Sequence, residues 1–142
     1  MKRIVKTTLT LLLALALMMS FAACSQPTAD EELWKSAVFT ENKELGEGAK
    51  TIEVDVTAGE KTVTFTIHTD ADTVGAALME HKLLEGDPGD FGLYVKKVNG
   101  MLADYDVDQT YWAFYIGEEY AMTGVDMTEI DESADYRLVR TK

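Results

Sequence analysis

The sequence has very few of the residues that form covalent bridges or bind anions. It contains a single cysteine, so no disulfide within the chain can support the fold. Its 13 basic residues are outnumbered by 25 acidic ones, which gives a formal charge of −12. A chain this acidic offers no basic patch for nucleic acid, and an anionic lipid surface would repel it.

Catalytic sequence motifs are also missing. The sequence has no nucleophile elbow, no glycine-rich phosphate loop and no pair of histidines at metal-binding spacing. His68 falls on the threonine-rich face of a predicted strand and His81 on the apolar stripe of a predicted helix, so we expect one solvated and one packed side chain. The sequence therefore predicts a protein that is not an enzyme, with no catalytic residue and no metal site.

The nearest approach to a metal motif lies at Asp104, Asp106 and Asp108. Alternate carboxylates of this kind begin a calcium-binding loop. Glycine is missing at position six and glutamate at position twelve, where Gln109 and Tyr115 stand. The pattern favours a solvated acidic loop, with adventitious calcium binding as the alternative.

The first 23 residues are predicted to be an export signal. Three basic side chains open the chain, and residues 9–19 form an uncharged apolar run that is too short for a stable membrane span. The sequence Phe21-Ala22-Ala23-Cys24 resembles the bacterial lipobox, with phenylalanine where leucine is usual. In a lipobox the cysteine becomes the new N-terminus and carries fatty acids such as palmitate. The alternative is a conventional signal with an incidental cysteine.

Lipid on Cys24 would anchor the protein to the extracellular face of the cell membrane without spanning it. Removal of residues 1–23, which carry three basic and no acidic side chains, changes the formal charge from −12 to −15. Residues 24–49 are predicted to be a lipidated tether and residues 50–142 a single domain. Trp34, Val38 and Phe39 interrupt the polar tether, and they either dock on the domain or are incidental apolar residues.

Alternating apolar and polar residues predict a β-hairpin, with strands at 51–56 and 61–68 joined by a turn at Ala58-Gly59-Glu60. A helix is predicted over residues 73–84, capped by Asp70 or Asp72. Residues 86–90, rich in glycine and proline, are predicted to end it.

Further strands are predicted at 92–98, 111–116, 120–122 and 136–141. Asn99-Gly100 favours a turn with positive backbone angles. The order β-β-α-β-β-β predicts an α+β fold, a β-grasp-like mixed sheet covered by one helix. An antiparallel sandwich is the alternative, which the single helix disfavours.

Three segments resemble a known bacterial family. Residues 92–100 with their Val-Asn-Gly, residues 111–116 with Tyr-Trp-x-x-Tyr, and residues 120–125 are similar to the domain family related to the carboxyl-terminal domain of transcobalamin. Many members are lipoproteins of Gram-positive bacteria with unknown function, and the similarity covers about residues 50–142. The sequence departs from the family at Gly117, which comes one position earlier than the usual Asn-Gly or Asp-Gly before Glu-Tyr-Ala.

The resemblance also implies a ligand. The transcobalamin domain covers a corrinoid that a separate helical domain holds, and no such helical domain is predicted here. The resemblance therefore implies that the ligand is a cobalamin-like corrinoid or another flat small molecule. The alternative is a protein-interaction or structural module of the cell envelope.

Aromatic residues supply the candidate binding site, because eight of the 13 lie between residues 91 and 120. Tyrosine and tryptophan combine a stacking face with a hydrogen-bonding edge. In the orientation we favour, Trp112, Phe114 and Ile116 face the core, and the opposite assignment stays open. The candidate ligand-binding residues are Tyr94, Tyr105, Tyr111, Trp112, Tyr115 and Tyr120.

Overall fold

The computed structural model describes residues 28–142, which form an α+β fold built mostly of strands. One sheet is mixed and has six strands, and a second sheet has three. Residues 1–27, including the predicted signal and Cys24, lie outside the described residues. Among the helices of the described part, none has the length and apolarity needed to cross a membrane.

The centre of the large sheet is the predicted hairpin, formed by β2 (Lys50–Ala58) and β3 (Lys61–Thr69). The strands are antiparallel, with Val54 opposite Phe65. Every second side chain is buried, because alternate residues of a strand point to the same face. The predicted hairpin and its apolar face are therefore confirmed. A short strand, β1 (Lys43–Gly46), runs parallel to β3 at the edge of the sheet.

The rest of the large sheet comes from the C-terminal part of the chain. β9 (Asp135–Thr141) lies parallel to β2, and β7 (Tyr111–Ile116) is antiparallel to β9. β8 (Glu119–Tyr120) pairs with β7 at the other edge, so the strand order is β1-β3-β2-β9-β7-β8. Tyr136 and Leu138 of β9 are buried in the same core as the hairpin.

One helix, α2, packs its apolar stripe into this core and spans only Val74–Glu80. The predicted helix over 73–84 was therefore too long, and the predicted aspartate cap was wrong. Thr73 is the cap, and its hydroxyl accepts a hydrogen bond from the Ala76 N–H at 3.2 Å. The helix ends early because Lys82 has a positive φ of 56° and the chain turns to bury Leu83.

The small antiparallel sheet consists of β4 (Leu84–Gly89), β5 (Gly92–Val98) and β6 (Met101–Leu102). The bounds predicted for β5 are confirmed. Residues 86–90 do not end the helix as predicted, because residues 86–89 belong to β4 and Asp90 to the turn that follows. Pro88 is accommodated because β4 is an edge strand, where a missing N–H breaks no ladder hydrogen bond.

Two short helical segments link the strands of the C-terminal half. The helix α3 (Tyr105–Asp108) lies where a solvated acidic loop was predicted, and a 3-10 helix (Val125–Met127) packs against α2. Asn99 and Gly100, between β5 and β6, have φ values of 50° and 82°. The predicted turn with positive backbone angles is therefore confirmed.

The segment before β1 docks on the sheet. Helix α1 (Ala29–Trp34) begins with a capping box, and Trp34 is buried with its Nε1 donating to the Ala58 carbonyl at 3.0 Å. Phe39 contacts Phe65 edge-on, with ring centroids 5.8 Å apart. Two of the apolar residues in the predicted tether, Trp34 and Phe39, therefore dock on the domain, which was one of the two alternatives. Val38 contributes little, since its side chain is exposed.

Gly75 provides a test of how α2 packs on the 3-10 helix. An added Cβ would lie 2.6 Å from the Cα of Asp126 and 2.8 Å from its backbone nitrogen. Alanine would gain about 0.5–1 kcal/mol in helix formation, but overpacking against backbone costs about 1–3 kcal/mol. We expect Gly75→Ala to lower the free energy of unfolding by about 1–2 kcal/mol in urea denaturation.

The control for this experiment is Ala76→Gly, on the more exposed side of the same helix. It should cost about 1 kcal/mol from helix propensity alone. A Gly75→Ala protein that is more stable than the parent would show that α2 does not depend on this close approach.

Candidate ligand-binding groove

An open groove of about 270 Å³ lies between the small sheet and the β7–β8 end of the large sheet. β5 forms one wall, and β7, β8 and the residues after β8 form the other. Every lining side chain is uncharged, and most are apolar or aromatic. The lining residues are Phe91, Leu93, Tyr94, Val95, Tyr111, Trp112, Phe114, Tyr120, Ala121, Met122, Thr123, Gly124 and Val125.

The floor of the groove is set by two aromatic side chains of β7. Trp112 is 6% exposed, and its Nε1 donates to the Met101 carbonyl at 3.2 Å, which ties the two sheets together. Phe114 stacks on Tyr136 of β9, with ring centroids 6.2 Å apart. Both therefore face the core as predicted. Ile116 was predicted to do so too, but it is the last residue of β7, beside the Gly117 turn, and is 36% exposed.

The six predicted aromatic residues do not all meet. Four of them line the groove: Tyr94, Tyr111, Trp112 and Tyr120. Tyr105 lies in an adjoining pocket that also contains Tyr94 and Tyr111. Tyr115 lines neither cavity, because its ring packs edge-on against Tyr120 at 5.5 Å and under the Arg137 guanidinium at 5.5 Å.

Two of the groove residues that the prediction missed have strongly exposed apolar side chains. Phe91, at the β4–β5 turn, is 90% exposed, and Met122, just after β8, is 94% exposed. Exposed positions in turns usually have polar residues, so a large apolar side chain there is unusual. The sequence signal was present, since Phe91 lies next to a glycine in a tight turn.

The spacing of the walls depends on one close contact between segments distant in sequence. The Leu93 N–H donates to Oδ1 of Asp126 at 2.8 Å. A Cβ on Gly124 would lie 3.2 Å from the Cα of Gly92, which is tighter than an ordinary contact, so glycine at this position favours the close approach of the two segments. These contacts hold the segment after β8 against the β4–β5 turn.

The adjoining pocket, of about 590 Å³, differs from the groove in carrying charge. Lys96 Nζ lies 2.8 Å from Oδ2 of Asp87, and the hydrogen bond and charge of that carboxylate raise the pKa of Lys96. Asp104 caps α3 by accepting a hydrogen bond from the Asp106 N–H at 3.0 Å. Carboxylates therefore outnumber cations in this pocket.

Asp108, the last carboxylate of the calcium-like sequence, has partners within the chain. Asp108 accepts hydrogen bonds from Thr110 and from Arg140, and the bond from the Thr110 hydroxyl is the main cause of its lowered pKa. Between residues 28 and 142, no group of three or more histidine, cysteine or acidic side chains is arranged to hold a metal ion.

Both histidines lie away from the groove. His68 is only partly solvated, because it bonds to Thr51 Oγ1 at 2.9 Å and to Glu44 Oε1 at 2.7 Å. His81, the C-cap of α2, has a buried Nε2 with no hydrogen-bond partner in the described part of the chain. It is packed, as its place on the apolar stripe predicts.

Comparison with solved structures gives the relationship of this chain to known proteins. A protein of Ruminococcus gnavus ATCC 29149, described as a candidate metal-binding protein, superimposes with a TM-score of 0.61 at 30% sequence identity. The match covers 66% of this chain and 97% of the R. gnavus chain. This chain belongs to the same family as the R. gnavus protein. The shared region therefore includes nearly all of that relative.

A second match is haptocorrin, whose crystal structure is a complex with Cbi. The TM-score is 0.56 at 17% identity, covering 66% of this chain and 25% of haptocorrin, so the likeness shows the fold alone. The chain thus spans about a quarter of haptocorrin's length. No protein-family profile and no curated protein matches the chain.

Proposed function

We propose that this domain is a non-catalytic module that binds one face of a flat small molecule, with a corrinoid as the candidate ligand. The observation that carries the proposal is the groove, where four of the predicted aromatic residues meet on an uncharged surface. Aromatic faces stack well on flat, delocalised ligands. The resemblance of the sequence to the transcobalamin domain and the fold shared with haptocorrin, crystallised with Cbi, support the choice of ligand.

The size of the groove limits how the ligand would bind. Pockets that enclose a drug-sized ligand have volumes of about 300–1,000 Å³, and this groove has about 270 Å³. A corrinoid would therefore lie across the groove, covered on one face. The exposed rings of Tyr94 and Tyr120 are placed to make such a contact.

We also propose that the domain has a β-grasp-like fold and that a lipid anchors it outside the cell. A hairpin, then a helix, then a last strand that returns parallel to β2 supports a β-grasp-like fold. The lipobox-like sequence supports a signal peptide over residues 1–23, a lipid on Cys24 and a place on the extracellular face of the cell membrane. The lipid anchor, not the acidic domain, would supply the attachment.

Trp112 fluorescence tests the ligand directly. With Trp34 replaced by phenylalanine, Trp112 is the one tryptophan left in the sequence. We expect cobinamide to quench it saturably, and Tyr94→Ala to weaken binding about tenfold, or 1.4 kcal/mol. Met79→Ala is the matched control. Met79 is as exposed as Tyr94, but it lies on α2 and does not line the groove. The absence of saturable quenching at high micromolar cobinamide would rule out this ligand.

Recognition of an envelope protein is the second candidate function. The exposed side chains of Phe91 and Met122 favour it, since large apolar residues at the rim of a groove are typical of protein interfaces. A photo-crosslinker in place of Phe91 should then give one dominant protein adduct on intact cells. A dominant adduct together with no cobinamide binding would favour this function over the first.

A further inference from the structure

The groove does not end at its uncharged lining. Tyr94 and Tyr111 line both the groove and the adjoining pocket of about 590 Å³, so the two cavities share a wall. Tyr105, which is 56% exposed, adds a third tyrosine to the pocket. A ligand lying over the groove would therefore reach the pocket by extending across the rings of Tyr94 and Tyr111.

The charges around the pocket are unequal. Lys96 is the one cation in its lining and is already paired with Asp87 at 2.8 Å. Asp104 and Asp106 form no ion pair within residues 28–142. The lining thus has three carboxylates against one cation beside three tyrosine rings, and the charge of Asp104 also acts on Lys96.

These features select the sign of the ligand's charge. The face of an aromatic ring attracts a cation, and nearby carboxylates strengthen that attraction while they repel an anion. The groove has no charged side chain, so its aromatic faces alone would favour a cation only weakly. The sequence adds to the effect at long range, since residues 24–142 have a formal charge of −15.

We infer that the pocket is a cation subsite of the groove, so that the ligand is a flat molecule with a positive charge beside its ring system. The ring lies over Tyr94, Trp112 and Tyr120, and the charge lies between Tyr105 and the carboxylates of Asp104 and Asp106. This inference rests on the proposed function, because it assigns the charge of the ligand that the groove binds.

Acridine and N-methylacridinium test the inference, because the two rings have nearly the same shape and differ in charge at pH 7.4. Binding is measured by Trp112 fluorescence in the Trp34→Phe protein. We expect N-methylacridinium to bind roughly tenfold tighter at low salt, and the difference to shrink as salt screens it. Cobinamide is titrated in parallel.

The double variant Asp104→Asn, Asp106→Asn should weaken the binding of N-methylacridinium until its affinity is close to that of acridine. Asparagine preserves the cap of α3, so the fold is kept. Glu41→Gln with Glu47→Gln removes the same charge from an exposed segment away from the pocket and should keep most of the difference.

The outcomes separate the subsite from the groove. Equal affinity for the two rings, or a difference that survives the double aspartate variant, would overturn the cation subsite while the groove still binds. Failure of both rings and of cobinamide to bind would overturn the proposed function, and this inference with it.

Discussion

Replacement of Asn99 by alanine is expected to lower the free energy of unfolding by about 2–4 kcal/mol. The side chain is fully buried, and it accepts from the Phe39 N–H at 3.0 Å and donates to the Phe39 carbonyl at 2.8 Å. Each stranded buried group costs about 1–3 kcal/mol, and alanine at the positive φ of 50° adds about 1 kcal/mol. Urea denaturation measures the loss.

Two further substitutions separate the causes. Asn99→Gly removes the same hydrogen bonds but tolerates the positive φ, so it should be the milder change by about 1 kcal/mol. Asn99→Asp keeps an acceptor for the Phe39 N–H and loses the donor. If Asn99→Ala stays within about 0.5 kcal/mol of the parent protein, the link between this turn and the N-terminal segment carries no stability.

Trp34→Ala should cost about 3–5 kcal/mol, the usual range for removal of a large buried aromatic side chain. Trp34 bonds to the Ala58 carbonyl, and the Lys61 ammonium lies 4.7 Å from its ring centroid. A helix as short as α1 has little stability of its own, so it should leave the sheet when this contact is lost. Hydrogen exchange of residues 29–37 should then become fast. Urea denaturation measures the loss in the free energy of unfolding.

Trp34→Phe is the control, because it keeps most of the buried area and loses only the hydrogen bond. Its expected cost is about 1–2 kcal/mol, with slow exchange in residues 29–37 retained. Slow exchange of residues 29–37 in the Trp34→Ala protein would mean that other contacts hold α1 on the sheet. The ion pair between Arg140 and Asp30 is one such contact.

The elements predicted well are those whose signals are local. The β2–β3 hairpin follows from strict alternation, which one buried sheet face enforces. The bounds of β5 and the positive φ values of Asn99 and Gly100 follow from turn chemistry. None of these depends on what distant parts of the chain do.

The errors arise where tertiary contacts override local preference. Residues 86–90 have the composition of a break, yet residues 86–89 pair with β5, because an edge strand accepts Pro88. The length of α2 is decided by the burial of Leu83 and Leu84, which draws the chain away from the helix. Sequence periodicity alone does not contain that information.

The candidate site shows the same division. The residue types, tyrosine and tryptophan, and their strands were predictable from the sequence. Their separation was not, since Tyr115 lies outside the groove although it is close in sequence to Trp112. Phe91 and Met122 line the same groove, and the hydrogen bond between Leu93 and Asp126, 33 positions apart, links the segments that carry them.

The docked α1 also bears on how the domain would stand on a bilayer. Thr28 follows Cys24 by four positions, a chain length that reaches at most about 14 Å. Ala58 and Trp112 both pair with Arg140, so one end of the sheet carries α1, and the Gly117 turn lies at the other. A lipid on Cys24 would therefore keep the α1 end of the sheet within a short distance of the bilayer, and the Gly117 turn is at the end of the sheet away from α1.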